Sequence, residues 1–173
     1  MTTTRQFRFD DLFRFNNINL DNLTETYNSS FYFQYLTTMP EYFLAEEHPN
    51  GRLMGYIMGK AEGDGDKWHG HVTAVTVASE FRRRGLATKL MSALEVTSEK
   101  VFDAYFVDLF VRSSNALAIG MYQRLGYSVY RTVTGYYSGE EDAFDMRKAL
   151  ARDVHKVSVV PLLHPVSPED LEW

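Results

Sequence analysis

The sequence predicts a mixed α/β sheet in a single domain. Apolar residues in the first half recur with period two, and from Gly85 onward the period becomes helical, so that strand, helix, strand and helix then follow in turn. Length agrees: 173 residues make one domain of ordinary size, able to bury roughly 70% of its unfolded surface.

The elements follow in order. Residues 3–9 alternate weakly and predict an edge strand. Asp10 and Asp11 before Leu12, Phe13 and Phe15 predict a helix start, acidic where the helix dipole favours acid. Residues 16–28, rich in Asn, Asp and Thr, read as a loop or broken helix, and residues 31–36, ending before Pro40, as a short helix. Three strands are expected at 42–46, 53–60 and 69–78, with Asn50-Gly51 as the hairpin turn before the second. In the third, His71, Thr73, Val75 and Val77 alternate with Val72, Ala74, Thr76 and Ala78. The polar linker 62–67 makes these three an antiparallel meander. Leu86, Leu90 and Leu94 then recur every fourth residue in a helix. A strand at 105–111, a helix at 115–125 and strands at 128–133 and 143–148 complete about seven strands and four helices. Residues 1–150 are expected to form the domain, and the proline-containing residues 151–173 an extended arm.

Composition narrows the function. Hydrophobic residues are 45% and charged residues 24% of the chain, the balance of a globular protein. The net charge of -5 supplies no broad basic field, so direct nucleic-acid binding is not expected. With no cysteine, disulfides, thiolate metal sites and a cysteinyl intermediate are all excluded. No segment has the length of a signal-peptide core or a membrane span, which predicts a cytoplasmic protein with no membrane contact.

Two segments carry chemistry. The first is Arg82-Arg83-Arg84-Gly85-Leu86-Ala87-Thr88, between a strand and the Leu86 helix. A helix N-terminus offers unpaired amides and the positive end of a dipole, a cradle for phosphate. Gly85 allows close backbone approach, Ala87 keeps bulk away, and the arginines add forked donors. The spacing alone fits equally a basic turn before an amphipathic helix. It is neither a P-loop nor a dinucleotide fingerprint. The second is Asn115, Ala118, Tyr122, Gly126 and Tyr127, in which Asn115 and Tyr122 lie two helical turns apart on one side. Gly126 is expected to cap that helix and Tyr127 to start the next strand. Taken singly, Asn115 also reads as an N-cap and Tyr122 as a core tyrosine.

In this order and spacing the two motifs resemble the GNAT N-acetyltransferase superfamily. Its R/Q-x-x-G-x-G/A loop matches Arg82 to Ala87, with alanine in the last place, and its second motif matches Asn115 to Tyr127. The resemblance implies a mostly antiparallel seven-stranded sheet with a splayed central strand pair and flanking helices. It narrows further through residues 11–17, 40–43, 55–60, 68–73 and 164–166, which look like the catalytic subunit of N-terminal acetyltransferase B. That family acetylates the initiator methionine of nascent chains whose second residue is Asp, Glu, Asn or Gln. It works with a large helical-repeat auxiliary subunit at the ribosome.

The resemblance also implies roles. Acetyl-CoA would lay its pyrophosphate on Arg82, Arg83, Arg84, Gly85, Leu86, Ala87 and Thr88. Its pantetheine would pair with Val75 and Val77 and bond Asn115. A backbone N–H near Val77 would face the oxyanion, and Tyr122 would protonate the departing thiolate. His71, Thr73 and Tyr136 are assigned to the second side chain of the substrate, and Glu25, Tyr27 and Tyr137 to the first. Tyr136 and Tyr137 are expected in the loop between the last two strands. His69 and His71 raise a metal site, but no third ligand stands at a telling spacing and none is expected. The competing readings are a GNAT enzyme for a small-molecule amine and a non-catalytic acyl-CoA-binding subunit.

Overall fold

The computed structural model describes residues 1–22 and 24–171. Leu23, in the expected loop, and Glu172 and Trp173, at the end of the arm, lie outside the described residues. The strands are β1 (Thr3–Gln6), β2 (Leu44–Glu47), β3 (Leu53–Glu62), β4 (His69–Val77), β5 (Phe106–Arg112), β6 (Ser128–Tyr137) and β7 (Glu141–Ala149). The helices are α1 (Asn16–Asn19), α2 (Ser29–Thr38), α3 (Leu86–Lys100) and α4 (Ala116–Arg124). The strands form one seven-stranded sheet in the order β1-β2-β3-β4-β5-β7-β6. By contact density the chain divides into two units: Met1–Lys60 with Val72–Thr97, and Ala61–His71 with Ser98–Trp173.

In the first unit β1 pairs antiparallel with β2, and β2 with β3. The β2–β3 turn is tied by His48 N–H to Arg52 O at 2.9 Å and Gly51 N–H to His48 O at 2.8 Å, as Asn50-Gly51 predicts. The core gathers Phe7 just after β1, Phe43 just before β2, Tyr56 of β3, and Phe15, Ile18 and Tyr32 from residues 9–38. Aromatic pairs hold it, including Phe7 stacked on Phe43 at 4.1 Å and Phe15 edge-on to Tyr32 at 5.3 Å.

Two expectations need correction here. The helix start at Asp10 is one 3-10 turn, Phe9–Phe13, and a second 3-10 turn, Pro40–Tyr42, occupies the start of the expected strand 42–46, so that β2 begins at Leu44. At the first, the buried Asp11 carboxylate accepts from Arg8 N–H at 2.8 Å, capping the start of the turn, and from Arg5 Nη1 and Nη2 at 2.6 and 2.9 Å, tying the turn to β1. Burial pushes the Asp11 carboxyl up, but the hydrogen bonds from Arg5 and Arg8 outweigh it and its pKa lies below the ordinary value. Asp11→Ala leaves Arg8 N–H without its acceptor and takes one carboxylate from Arg5, which keeps Glu47, and is expected to cost about 2 kcal/mol in urea unfolding at neutral pH. Because the folded pKa is depressed, this contribution is complete above the unfolded carboxylate value, near ~4, and is lost as pH falls through the folded value. The gap between wild type and variant should therefore be flat from about pH 5 to 8 and close in acid.

The second unit is built on β5, β7 and β6, paired antiparallel in that order, with α4 between β5 and β6. Gly126, at φ +94°, ends α4 as its place in the motif predicts. The next strand starts at Ser128, so Tyr127 is the buried residue just before it and not its first residue. The arm runs along β6: Leu162 N–H donates to Tyr130 O at 2.7 Å, Val166 N–H to Thr132 O at 2.9 Å, and Thr134 N–H to Val166 O at 2.9 Å. Leu171 then buries against Val133 and Ala143. No helix among the described residues is long and apolar enough to cross a membrane.

Candidate active site

The first unit carries the phosphate-binding candidate. Arg83 and Gly85 adopt positive φ, +62° and +76°, which turn the chain from the 3-10 turn Ser79–Phe81 into α3. Lys89 N–H makes the first intrahelical bond, to Gly85 O at 3.0 Å, so the amides of Leu86, Ala87 and Thr88 precede the ladder as a helix start requires. A Cβ added at Gly85 would meet no protein atom within 4 Å. The three arginines are not equivalent. Arg82 is tied into the fold, its Nε donating to Val77 O at 3.0 Å and its Nη2 pairing with Asp21 at 3.0 Å. Arg83 and Arg84 are exposed, Arg84 lying over the Phe81 ring at 5.5 Å. Val75 is half-buried, and Val77 packs with Met54 and Leu86.

The same unit holds three of the residues assigned to the substrate. Tyr27 stacks on Phe31 at 4.4 Å and its hydroxyl donates to Thr73 O at 3.4 Å. Thr73 shares a 2.7 Å hydroxyl hydrogen bond with Tyr35, a residue of α2 to which the sequence reading gave no role. Glu25 is exposed in the segment before α2.

The second unit carries the proton donor candidate and a histidine cluster. Tyr122 is buried on α4, its ring edge-on to Tyr127 at 6.1 Å. Burial pushes its phenol up to about 12, which keeps the proton on at neutral pH. Asn115 is the N-cap of α4, its Oδ1 accepting from Ala118 N–H at 3.1 Å. The loop before it is braced by Glu141, which binds Arg112 at 3.0 Å and Ser114 through N–H and hydroxyl. Arg112 in turn covers the Tyr137 ring at 4.1 Å.

Tyr136 and Tyr137 end β6 and are not in the loop, which is only residues 138–140. A register shift between Val133 and Tyr137 bulges this end, and Asp142 accepts from Gly135 N–H at 2.9 Å to hold the bulge. Tyr136 stacks on Phe110 at 4.9 Å, and Phe110 lies against the His71 ring at 5.7 Å. Burial, with the nearby charges of Asp108 and Glu62, raises the Tyr136 pKa, so it too stays a phenol.

Behind these rings lies an arrangement that the sequence reading missed. His71 Nδ1–H donates to Asp108 Oδ1 at 2.7 Å, both side chains buried. Asp108 Oδ2 faces His69 Nε2 at 3.5 Å, and Glu62 Oε1 is 3.7 Å from the same nitrogen. The His69 ring is held by Nδ1–H donating to Lys67 O at 2.7 Å and lies flat on Phe106 at 4.7 Å. Burial pushes the Asp108 carboxyl up, but the His71 and His69 charges prevail and hold it well below the usual carboxylate range. Glu62, His69 and His71 each present a ligand atom within 4.8 Å of one another, the third member absent from the sequence reading. Nδ1 of both histidines is engaged, by Lys67 O and by Asp108. The available signal was Asp108 itself, one charge within the apolar run Phe106-Val107-Asp108-Leu109-Phe110.

The seven-stranded sheet, with a helix start whose amides precede its ladder and a buried phenol on a later N-capped helix, fits an acyl-CoA-dependent acyltransferase. The chain belongs to the acetyltransferase (GNAT) family, whose model matches residues 10–127. It is 66% identical to N-alpha-acetyltransferase 20 of Dictyostelium discoideum, over 99% of each chain. It is 61% identical to the N-terminal acetyltransferase B complex catalytic subunit NAA20 of Arabidopsis thaliana, over 100% of this chain and 99% of that one. Among solved structures, Naa20 of Chaetomium thermophilum in complex with a bisubstrate analogue superposes with a TM-score of 0.91 at 43% identity, covering 96% of this chain and 97% of the other. A NatB acetyltransferase complex bound to CoA and MES gives a TM-score of 0.79 at 48% identity, covering 86% and 99%. Within the GNAT enzymes the relatives are thus catalytic subunits of N-terminal acetyltransferase B.

Proposed function

We propose that the chain transfers acetyl from acetyl-CoA directly to the α-amine of the initiator methionine of nascent chains whose second residue is Asp, Glu, Asn or Gln. Likeness over the whole chain to NatB catalytic subunits carries this reading. Residues 1–150 act as the transferase domain, with residues 151–173 as its arm. Arg83, Arg84 and Gly85 with the amides of Leu86, Ala87 and Thr88 take the pyrophosphate, while Arg82 shapes the turn from behind. Val75 and Val77 pair with pantetheine, an N–H near Val77 faces the oxyanion, and Asn115 bonds the cofactor. Ala78 N–H is not that donor, being bonded to Met54 O at 2.9 Å.

An α-amine titrates near ~7.7–8, so part of it is neutral at pH 7 and modest base assistance suffices. Attack on the thioester carbonyl gives a tetrahedral oxyanion, and collapse expels the CoA thiolate, which Tyr122 protonates. Tyr27, Tyr137 and Glu25 line the place of the methionine, and His71, Thr73 and Tyr136 meet the second side chain. An auxiliary subunit of helical-repeat type, bound at cytoplasmic ribosomes, completes the enzyme. The exposed aromatic surface of Phe9, Phe13 and Phe33 is its docking face on this chain, with Phe9 stacking on Phe33 at 5.1 Å.

A small-molecule amine is the weaker reading, because the relatives are N-terminal acetyltransferases and the tyrosine pair suits a peptide. The test is acetyl transfer to peptides beginning Met-Asp, Met-Glu, Met-Asn, Met-Leu and Ser-Glu, and to a polyamine, with and without the auxiliary subunit. Preference for the first three is expected, and activity confined to the polyamine would refute the reading. In the same assay His71→Ala should lose most of the preference for Met-Asp over Met-Ala, roughly 10-fold or more.

A further inference from the structure

We propose that Tyr35 is a positioning residue for the second side chain of the substrate, acting by holding the Thr73 hydroxyl in one rotamer. This rests on the assignment of Thr73 to that side chain.

Two phenols converge on Thr73 of β4, Tyr27 from the segment before α2 and Tyr35 from within it. The Tyr35 and Thr73 hydroxyls share a hydrogen bond at 2.7 Å, the ordinary length for two hydroxyls. The Tyr27 hydroxyl donates to Thr73 O at 3.4 Å, a longer and weaker contact, so Tyr35 is the firmer hold. Phe31 joins the two phenols, its ring stacked on Tyr27 at 4.4 Å and tilted against Tyr35 at 5.1 Å. Contacts thus run from Tyr27 through Phe31 and Tyr35 to Thr73 and back, and no member shifts alone. This ring of contacts is anchored from behind. Tyr27 N–H donates to the Tyr32 hydroxyl at 3.2 Å, and Tyr32 belongs to the same buried core as Tyr35.

The consequence lies in the Thr73 side chain. Threonine has staggered χ1 rotamers that exchange the places of its hydroxyl and its methyl. The bond to Tyr35 selects the rotamer that brings the hydroxyl to the phenol. Tyr35 is buried, which strengthens that bond against competing water. A hydroxyl has one hydrogen and two lone pairs, so half-buried Thr73 keeps capacity for a second bond. Asp, Glu, Asn and Gln all end in a group with a carbonyl-type oxygen, which Leu lacks. A hydroxyl already fixed loses no rotamer freedom on meeting that group, a saving of about 3- to 10-fold in affinity.

The experiment is a double-mutant cycle of Tyr35→Phe and Thr73→Val, read as kcat/KM for Met-Asn and Met-Leu peptides with the auxiliary subunit present. Each change removes one hydroxyl and nearly keeps the shape of its side chain. Tyr35→Phe should lower kcat/KM for Met-Asn about 3- to 10-fold and leave Met-Leu nearly unchanged. KM for acetyl-CoA, whose pantetheine is placed on the same strand, should not move, whereas a general loosening of β4 would raise it. Thr73→Val should cost Met-Asn at least as much, and adding Tyr35→Phe to it should cost nothing more. Losses that multiply in the double variant, or equal losses for Met-Leu, overturn the proposal. Should Tyr35→Phe fail to fold, the three-bond NMR couplings of Thr73 in the wild type decide: one χ1 rotamer supports the proposal, and averaged rotamers overturn it. A Thr73→Val enzyme that keeps its full preference for Met-Asn over Met-Leu would instead remove the substrate assignment of Thr73 itself. That outcome is distinct from an impaired Thr73→Val beside an unimpaired Tyr35→Phe, which sinks the positioning role alone.

Discussion

Tyr122→Phe is expected to lower kcat by about 10²-fold or more while KM for acetyl-CoA changes little, the signature of a lost proton donor. The phenylalanine ring retains the edge-on packing on Tyr127, so the loss is chemical. Burial holds the phenol near 12, well above working pH, and a group that stays protonated serves as an acid for a departing thiolate and not as the base for the amine. Steady-state kinetics with a Met-Asp peptide, with unfolding measured alongside, is the check. An unchanged kcat would remove Tyr122 from the mechanism.

Gly85→Val should act on binding instead. Gly85 has φ +76°, a conformation that costs a residue with a side chain roughly 1–2 kcal/mol. No protein atom lies within 4 Å of the added Cβ, so the fold offers no steric objection beyond that strain. What the branched side chain obstructs is a ligand approaching the start of α3. Each charge-assisted hydrogen bond lost there is worth about 1.5–3 kcal/mol, so the Kd for CoA should rise roughly 10- to 100-fold. Calorimetric titration with CoA measures this apart from turnover. A variant that binds CoA as well as wild type would mean that the phosphates sit elsewhere.

Much of the fold was legible because the signals are local. Strand alternation, Leu86/Leu90/Leu94 spacing, Asn50-Gly51 and Gly126 each act within a few residues, and each element appears within a few residues of its expected place. The pieces misread are those where side-chain bonds shape the backbone apart from the simple period. Asp11 caps a 3-10 turn and ties it to Arg5 where a helix was expected, and the β6 bulge, held by Asp142, carries the strand through Tyr136 and Tyr137.

The site divides in the same way. Sequence by itself singled out the loop from Arg82 to Thr88 and the Asn115/Tyr122 pair, since each is a short motif whose residues are covalent near-neighbours, and the resemblance of the two motifs to GNAT enzymes implied the acyltransferase class. Only the tertiary structure decided which arginine is spent on the fold, that Tyr35 binds Thr73, and that Asp108 holds His71. Asp21 and Arg82, Tyr35 and Thr73, and His71 and Asp108 are tens of residues apart in the chain, and a hydrogen bond's worth depends on burial and angle, which no spacing in one sequence encodes.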